Sequence, residues 1–167
     1  MMGSTHMATG LIISTFITTN PVGVVLGTVA ALLPDIDEPN SMISKRIPII
    51  PHIIGLFGHR KITHSLIGLF LFSIPIFLFF SNEMLLVFIA GYLSHLVLDT
   101  LTKMGVPWGY PIIQKHYSLS LGRSGGVVER VYILALFAVV IFLGVEHFVP
   151  HMEQIQLLFS SNINFPF

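Results

Sequence analysis

The segment LIGLFLFSIPIFLFFSNEMLLVFIAGYLSHLVL (residues 66–98) is the most informative part of this chain about its architecture. It contains two apolar runs, Leu66–Phe80 and Met84–Leu98, which are separated by a short polar step. A helix needs about 20 residues, and at least about 17, to cross the hydrocarbon of a bilayer. Both runs reach that length once their flanking Ser and Leu residues are included. The pattern predicts two transmembrane helices in an antiparallel hairpin that turns at Asn82-Glu83.

Two further apolar stretches flank this hairpin. Val131–Val149 is long enough to form a third transmembrane helix. The stretch at 8–33 is interrupted at Asn20-Pro21, and it forms either one kinked span or a helical hairpin. Asn-Pro is a turn signal, and the residue before a proline avoids helical dihedrals. We therefore favour a hairpin, which can be re-entrant, with half-length helices at 7–18 and 21–33.

The composition agrees with a membrane protein. The chain has 167 residues, of which 53% are hydrophobic and only 10% are charged, against about 25% charged residues in an ordinary soluble domain. The net charge is zero and there is no cysteine. These values exclude a soluble enzyme, a disordered chain, a basic nucleic-acid-binding protein and a disulfide or thiolate-metal framework. The predicted fold is an all-α integral membrane bundle, a single domain over residues 1–167.

The cationic residues predict the orientation of the bundle. With three crossings after the N-terminal hairpin, the loop before Leu66 and the loop before Val131 lie on the same side of the membrane. By the positive-inside rule, that side is the cytoplasm. The two loops together hold every Lys and Arg of the chain: Lys45, Arg46, Arg60, Lys61, Lys103, Lys115, Arg123 and Arg130.

Acidic and histidine residues form three clusters on the same predicted side. One cluster ends the first apolar stretch, one precedes Leu66, and one lies inside the 84–98 run with its members four residues apart on one helix face. Alone, each has a structural explanation as a helix stop, a basic surface patch or an interhelical hydrogen bond. Because all three converge, they predict one divalent-cation site. Its members are Asp35, Asp37, His59, His64, His95 and Asp99.

Several short motifs along the chain together carry a family resemblance. They are Thr5-His6 with Gly10, Leu33-Pro34-Asp35-Ile36-Asp37, Gly58-His59-Arg60, Thr63-His64-Ser65, Gly91-Tyr92-Leu93-Ser94-His95 with Asp99, Thr102, Gly105-Val106-Pro107, Pro111 and Glu129-Arg130. Over most of its length the chain resembles the YdjM-type family of predicted membrane-bound metal-dependent hydrolases. The resemblance implies that His6 is a metal ligand beside Asp35, which requires the N-terminal hairpin.

That family is distantly similar to zinc-dependent phospholipase C and P1-type nucleases, which are all-helical zinc enzymes. His95 and Asp99 match their His-x-x-x-Asp element. This chain is shorter than those enzymes, and its His147 falls on the opposite side of the predicted membrane.

The resulting hypothesis is a metal-dependent hydrolase of a phosphate ester or phospholipid-like substrate. It would act at the cytoplasmic face of a bacterial inner membrane, with the lipid bilayer and a lipid-linked phosphate as partners and no nucleic acid. Bound metal, about one to three Zn²⁺ ions, lowers the pKa of water to near 7 and can clamp a phosphoryl displacement. The oligomeric state is left open. The predicted ligands are His6, Asp35, Asp37, His59, His64, His95 and Asp99; the predicted general base is Asp37 or Glu129; and the phosphate-binding cations are Arg60, Lys61 and Arg123.

The alternative hypothesis is a membrane protein without enzymatic activity that holds a structural or regulatory metal. A catalytic zinc site keeps one coordination position open for water, whereas a structural site is closed. The sequence leaves these two possibilities open. It disfavours transport, because the acid and histidine clusters lie at one membrane face only.

Overall fold

The computed structural model describes residues 1–46 and 60–142. Within them the regular secondary structure is helical, joined by turns and loops, and two isolated bridges lie in the loop at 101–126. The predicted all-α class is therefore confirmed for these residues. The helices are α1 (Gly3–Ile17), α2 (Pro21–Ala30), two 3-10 helices (Leu33–Asp37 and Ser44–Arg46), α3 (Leu66–Phe79), α4 (Asn82–Thr100) and α5 (127–142). The chain divides into two compact units, Met1–Arg130 and Val131–Phe167.

The first apolar stretch forms two helices rather than one kinked span. Asn20 caps α2 by accepting a 2.9 Å hydrogen bond from Val22 N, and Pro21 occupies the first turn, a position where its missing N–H costs nothing. The two helices run antiparallel, because Gly10 lies against Ala31 while Gly23 lies against Thr18. The helices cover residues 3–17 and 21–30, so the hairpin is shorter at its C-terminal end than the predicted 21–33.

The turn between α3 and α4 differs slightly from the prediction. Ser81 caps α4 by accepting from Met84 N, so the helix begins at Asn82. Asn82 and Glu83 therefore lie in the first turn of α4, where a carboxylate is favoured by the helix dipole. The chain reverses instead at Phe80-Ser81.

Helix α4 lies at the centre of the first unit and packs against α1, α2 and α3. Helices α4 and α2 approach closely, since a Cβ added to Gly91 would lie 2.2 Å from the carbonyl oxygen of Gly27. No side chain larger than hydrogen fits there. This close packing brings the C-terminal end of α2 beside the C-terminal end of α4. Residues of both helices enter the core, which comprises Ala30, Phe88, Tyr92, Leu96 and Val106.

Among the described residues, α4 is the one helix with the length and apolar composition to cross a bilayer. Helix α3 is apolar but has 14 residues, a rise of about 21 Å against a hydrocarbon thickness of about 30 Å. The predicted Val131–Val149 span is helical from 131 to 142, and its remainder lies outside the described residues.

The helices carry many exposed apolar side chains. Monomeric soluble proteins rarely show contiguous apolar patches of more than a few hundred Å². A lipid environment accounts for such a surface. The most exposed of these side chains on the helices are Phe16, Val22, Val25, Phe70, Phe77, Leu78, Phe79, Val127, Leu134 and Phe137.

Candidate metal centre

Four helical segments bring their histidine and aspartate residues to one end of the first unit. His6 lies in the first turns of α1, and Asp35 lies in the 3-10 helix that follows α2. His64 immediately precedes the capping residue of α3. His95 and Asp99 lie in the last turns of α4. Because helices consecutive in the chain alternate in direction, the starts of α1 and α3 meet the ends of α2 and α4. The convergence expected for these five residues is present.

His64 and His95 face each other through their Nε2 atoms, which lie 3.3 Å apart. The Nδ1 atom of His95 lies 2.8 Å from the carbonyl oxygen of Ala31. A carbonyl only accepts hydrogen bonds, so this contact assigns the ring proton to Nδ1 and leaves a lone pair on Nε2. Both rings are fully buried.

Thr63 assigns the same tautomer to His64. Its hydroxyl donates a 2.9 Å hydrogen bond to Asp37 Oδ2. The hydroxyl has a single proton, so the 3.1 Å contact between Thr63 Oγ1 and His64 Nδ1 places the proton on the ring nitrogen. With one proton on each ring, at Nδ1, the two Nε2 lone pairs point at each other, and this pair of acceptors suits a shared cation, either a proton or a metal ion.

Two carboxylates surround this pair of nitrogen atoms. Asp35 Oδ1 lies 3.6 Å from His64 Nε2 and 3.7 Å from His95 Nε2. Asp99 Oδ2 lies 3.8 Å from each of the same two atoms. Burial alone raises the pKa of Asp35, but the hydrogen bond with His64 and the nearby His95 ring lower it, to about 2 overall. The Asp35 carboxylate is therefore anionic at neutral pH.

His6 completes a second grouping with His95 and Asp99. Its ring stacks on that of His95, with centroids 3.7 Å apart and an interplanar angle of 16°. Its Nε2 atom lies 3.3 Å from Asp99 Oδ1, and neither ring nitrogen makes a hydrogen bond of good geometry. A buried imidazole in that condition costs free energy unless something else binds it.

The donor set fits a divalent metal such as zinc. In a tetrahedral site with Zn–N distances of about 2.0–2.1 Å, two nitrogen ligands lie about 3.3–3.4 Å apart. The His64 and His95 Nε2 atoms have that separation. Metal-ligating histidines also donate their second N–H to a carbonyl or to a carboxylate-linked group, as both rings do here. Two groupings have all their ligand atoms within 4.8 Å of one another: Asp35, His64 and His95, and His6, His95 and Asp99.

Arg60 and Asp37 lie at the edge of this cluster. Arg60 Nη2 is 2.8 Å from Asp99 Oδ2, and the Arg60 side chain is 15% exposed. Its backbone has a φ of 55°, a conformation that L-residues rarely adopt. The Arg60 N–H donates a 2.7 Å hydrogen bond to Asp37 Oδ2 and so helps to hold this strained conformation. Asp37 thus contacts Thr63 and Arg60, and it lies outside both metal-binding groupings.

Glu129, predicted as a general base, lies near the start of α5 and is buried. It accepts hydrogen bonds from Met2 N, Thr5 Oγ1 and Gly125 N. Burial raises its pKa, whereas those three hydrogen bonds lower it, and the net pKa lies below the usual value. These contacts give Glu129 a structural role in joining α1 to the loop at 101–126.

Among the described residues, the structure does not bring the remaining predicted ones into the cluster of histidines and aspartates. His59 lies outside the described residues. Lys61 and Arg123, predicted to bind phosphate, are exposed. Sequence reasoning did not assign roles to the Thr63 hydroxyl and the Ala31 carbonyl, which orient the two central rings. The position of Thr63 directly before His64 was the available signal. Nothing in the sequence distinguishes the Ala31 carbonyl from its neighbours.

Fold and site together define a class: an all-helical membrane protein with a buried centre of histidine and aspartate side chains at one end of its helices. A family model described as "YdjM inner membrane protein" matches residues 1–160. The chain belongs to the YdjM inner membrane protein family, and this membership supports a location in the inner membrane.

Curated relatives agree with this assignment. The chain is 36% identical to the inner membrane protein YdjM of Escherichia coli K12 and to that of Shigella flexneri, over 114 residues in each case. It is 36% identical over 87 residues to the uncharacterized protein YvsG of Bacillus subtilis. The matches cover 64% and 51% of this chain, and 58% and 54% of the relatives' own lengths. No solved structure matches the chain.

Proposed function

We propose that this protein is a membrane-bound metal-dependent hydrolase of a phosphate ester or phospholipid-like substrate. The observation that carries the proposal is the pair of Nε2 atoms of His64 and His95, 3.3 Å apart between two carboxylates. Both rings have their other nitrogen engaged by a fixed partner. Such pre-oriented nitrogen and oxygen donors are typical of a metal centre.

The residues of the chain would divide the work as follows. A bound Zn²⁺ ion supplies Lewis-acid polarisation of a phosphoryl oxygen and a water molecule with a pKa near 7. Asp35, His64, His95 and Asp99 hold the ion, and His6 adds a ligand on the Asp99 side. Arg60 contacts the Asp99 carboxylate, and its guanidinium can bind phosphoryl oxygens as a bidentate donor. Asp37 orients His64 through Thr63. Of the two residues predicted as the general base, Asp37 and Glu129, Asp37 is therefore the one connected to a proposed metal ligand.

The proposal also includes the orientation of the site. All Lys and Arg residues of the chain lie between the first and second predicted apolar stretches or between the third and fourth. The positive-inside rule assigns such loops to the cytoplasm. In this arrangement the chain crosses the membrane several times and the metal centre faces the cytoplasmic leaflet.

The direct test is hydrolysis by purified, zinc-loaded protein in lipid nanodiscs, assayed with a chromogenic phosphate diester and with phospholipids. We expect wild-type protein to release product and His64→Ala to fall to background. His116→Ala is the matched control, because His116 is exposed and outside the centre. Equal rates in His64→Ala and wild type would identify a contaminating hydrolase and contradict the proposal.

A second candidate function is a structural or regulatory metal site without catalysis. One observation favours it: His6, His64, His95 and Asp99 are all fully buried, and closed sites are typical of structural zinc. In that case, zinc-loaded protein would show no hydrolysis, while metal removal would lower its thermal stability. Hydrolysis that depends on His64 would exclude this candidate.

A further inference from the structure

An open groove lies against the loop at 101–126 and has a volume of about 360 Å³. This volume falls within the range of about 300–1,000 Å³ found for small-molecule sites. Its lining is almost entirely apolar and aromatic: Leu66, Trp108, Gly109, Ile113 and Tyr117. A neighbouring residue of the same loop, Ile112, is 86% exposed. The groove therefore offers an apolar surface suited to a hydrocarbon chain.

The groove adjoins the candidate metal centre through two hydrogen bonds. Leu66 N donates to the carbonyl oxygen of Trp108 at 3.1 Å, and Leu66 is two residues from His64. The Trp108 indole N–H donates to Thr100 Oγ1 at 2.9 Å, and Thr100 directly follows Asp99. The wall of the groove is thus fixed to the two segments that carry central ligands.

Cations flank this apolar surface. Lys61 Nζ lies 6.0 Å from the centroid of the Tyr110 ring, and Lys115 Nζ lies 5.5 Å from that of Tyr117. An apolar channel with ammonium groups beside it matches an anionic amphiphile. Trp and Tyr side chains are enriched where a membrane protein meets the headgroup layer, and the groove lies at the ends of α3 and α4.

We infer that this groove binds an anionic phospholipid of the adjoining leaflet, with one acyl chain against Trp108 and Ile113 and the phosphate near Lys61 and Lys115. Bound in this way, the lipid lies along the wall that is hydrogen-bonded to the segments carrying His64 and Asp99. The class of substrate would then be a phosphorylated membrane lipid, a step that rests on the proposed function. Binding to the groove itself does not depend on hydrolysis.

Trp108 is the only tryptophan of the chain, so its fluorescence reports on this groove alone. The experiment reconstitutes full-length protein in phosphatidylcholine nanodiscs that contain a small fraction of lipid with a brominated acyl chain, which quenches tryptophan on contact. Brominated phosphatidic acid is compared with brominated phosphatidylcholine at the same mole fraction. We expect stronger quenching by phosphatidic acid.

Variants locate the effect. Lys61→Gln and Lys115→Gln should each weaken the apparent affinity for phosphatidic acid by about fivefold. Lys103 is an exposed lysine of the loop at 101–126, like Lys115. Lys103→Gln should leave the affinity for phosphatidic acid unchanged. Ile113→Glu, at a half-exposed position of the groove lining, should reduce quenching by both lipids.

Three results would overturn the inference. Equal quenching by the two brominated lipids would mean ordinary bilayer contact, and quenching by neither would mean that another protein surface covers the groove. A Lys103→Gln effect as large as that of Lys61→Gln would mean a general charge effect. Zinc content and hydrolysis are measured on the same samples, so a failure of the proposed function is recorded separately from a failure of lipid binding.

Discussion

Thr63-His64 and Thr5-His6 are the same dipeptide in two regions of the molecule. In each, the threonine hydroxyl donates to a buried carboxylate, Asp37 in the first case and Glu129 in the second. The histidines differ. His64 Nδ1 is held by the Thr63 hydroxyl, whereas neither ring nitrogen of His6 makes a hydrogen bond of good geometry.

The two histidine rings are therefore positioned differently, His64 by a hydrogen bond and His6 by ring stacking. The tautomer and direction of His64 are fixed before any ion arrives, so its Nε2 is a prepared donor. His6 is placed by stacking on His95 and by its contact with Asp99. We therefore expect the Asp35–His64–His95 grouping to dominate metal affinity and the His6 side to contribute less.

The largest expected difference is between alanine variants of the two histidines. His64→Ala should weaken zinc binding by more than about 100-fold, because it removes a ligand rather than a ligand's supporting hydrogen bond. His6→Ala should have a smaller effect. Competition with a fluorescent zinc chelator measures both affinities, with His116→Ala as the control. The comparison fails if His6→Ala loses zinc as completely as His64→Ala.

The threonines give the next largest contrast. Thr63→Val removes the hydroxyl that orients His64 and keeps the side-chain shape, so zinc affinity should fall by about 10- to 100-fold. Thr5→Val should leave zinc affinity within about twofold, since Thr5 does not hold the His6 ring. The same chelator competition reports both variants. Equal losses in the two variants would show that the threonines act through packing alone.

Thr5→Val should instead affect stability. It removes one of the three hydrogen bonds to the buried Glu129 carboxylate, and such a loss costs about 1–3 kcal/mol. Thermal unfolding in detergent should therefore show a lower Tm for the metal-free variant. Thr15→Val, an exposed position on the same helix, serves as the control and should leave the Tm near that of the wild type. An unchanged Tm for Thr5→Val would remove the structural role assigned to Glu129.

A smaller effect should appear with pH. The folded-state pKa of Asp35 is about 2, below its usual 3.8, so the ionised carboxylate stabilises the metal-free fold by about 2 kcal/mol at neutral pH. This contribution is fully present above pH 3.8 and is lost as the pH falls through about 2. The difference in unfolding free energy between Asp35→Asn and wild type should shrink over that window. If the difference in unfolding free energy between Asp35→Asn and wild type vanished already near pH 6, the pH dependence would belong to a group other than Asp35.

The sequence predicted those parts of the molecule that depend on local chemistry. Asn20-Pro21 marks the hairpin turn because proline excludes the preceding residue from the helix. The four-residue spacing of His95 and Asp99 places them on one helix face. The grouping of Asp35 and His64 with that pair followed from counting cations along the chain.

Other features depend on packing, which one sequence does not reveal. The Ala31 carbonyl orients His95 only because Gly27 and Gly91 let α2 and α4 approach closely. Glu129 was predicted as a base from its position in a motif, yet its hydrogen bonds join distant parts of the first unit. The apolar run that begins at Leu66 looked long enough to span a bilayer, but Ser65 caps the start of α3 and Ser81 caps the start of α4, which leaves α3 with 14 residues.

The proposed function depends on a metal ion bound by the His64–His95 pair. The most direct test of this metal binding is elemental mass spectrometry of detergent-purified protein, with wild type beside His95→Ala and Asp99→Ala. We predict stoichiometric zinc or a similar divalent metal in wild type and its loss in both variants. Wild-type protein that holds no metal, even after reloading, would contradict the proposed function and leave the histidines and aspartates as an interhelical hydrogen-bond network.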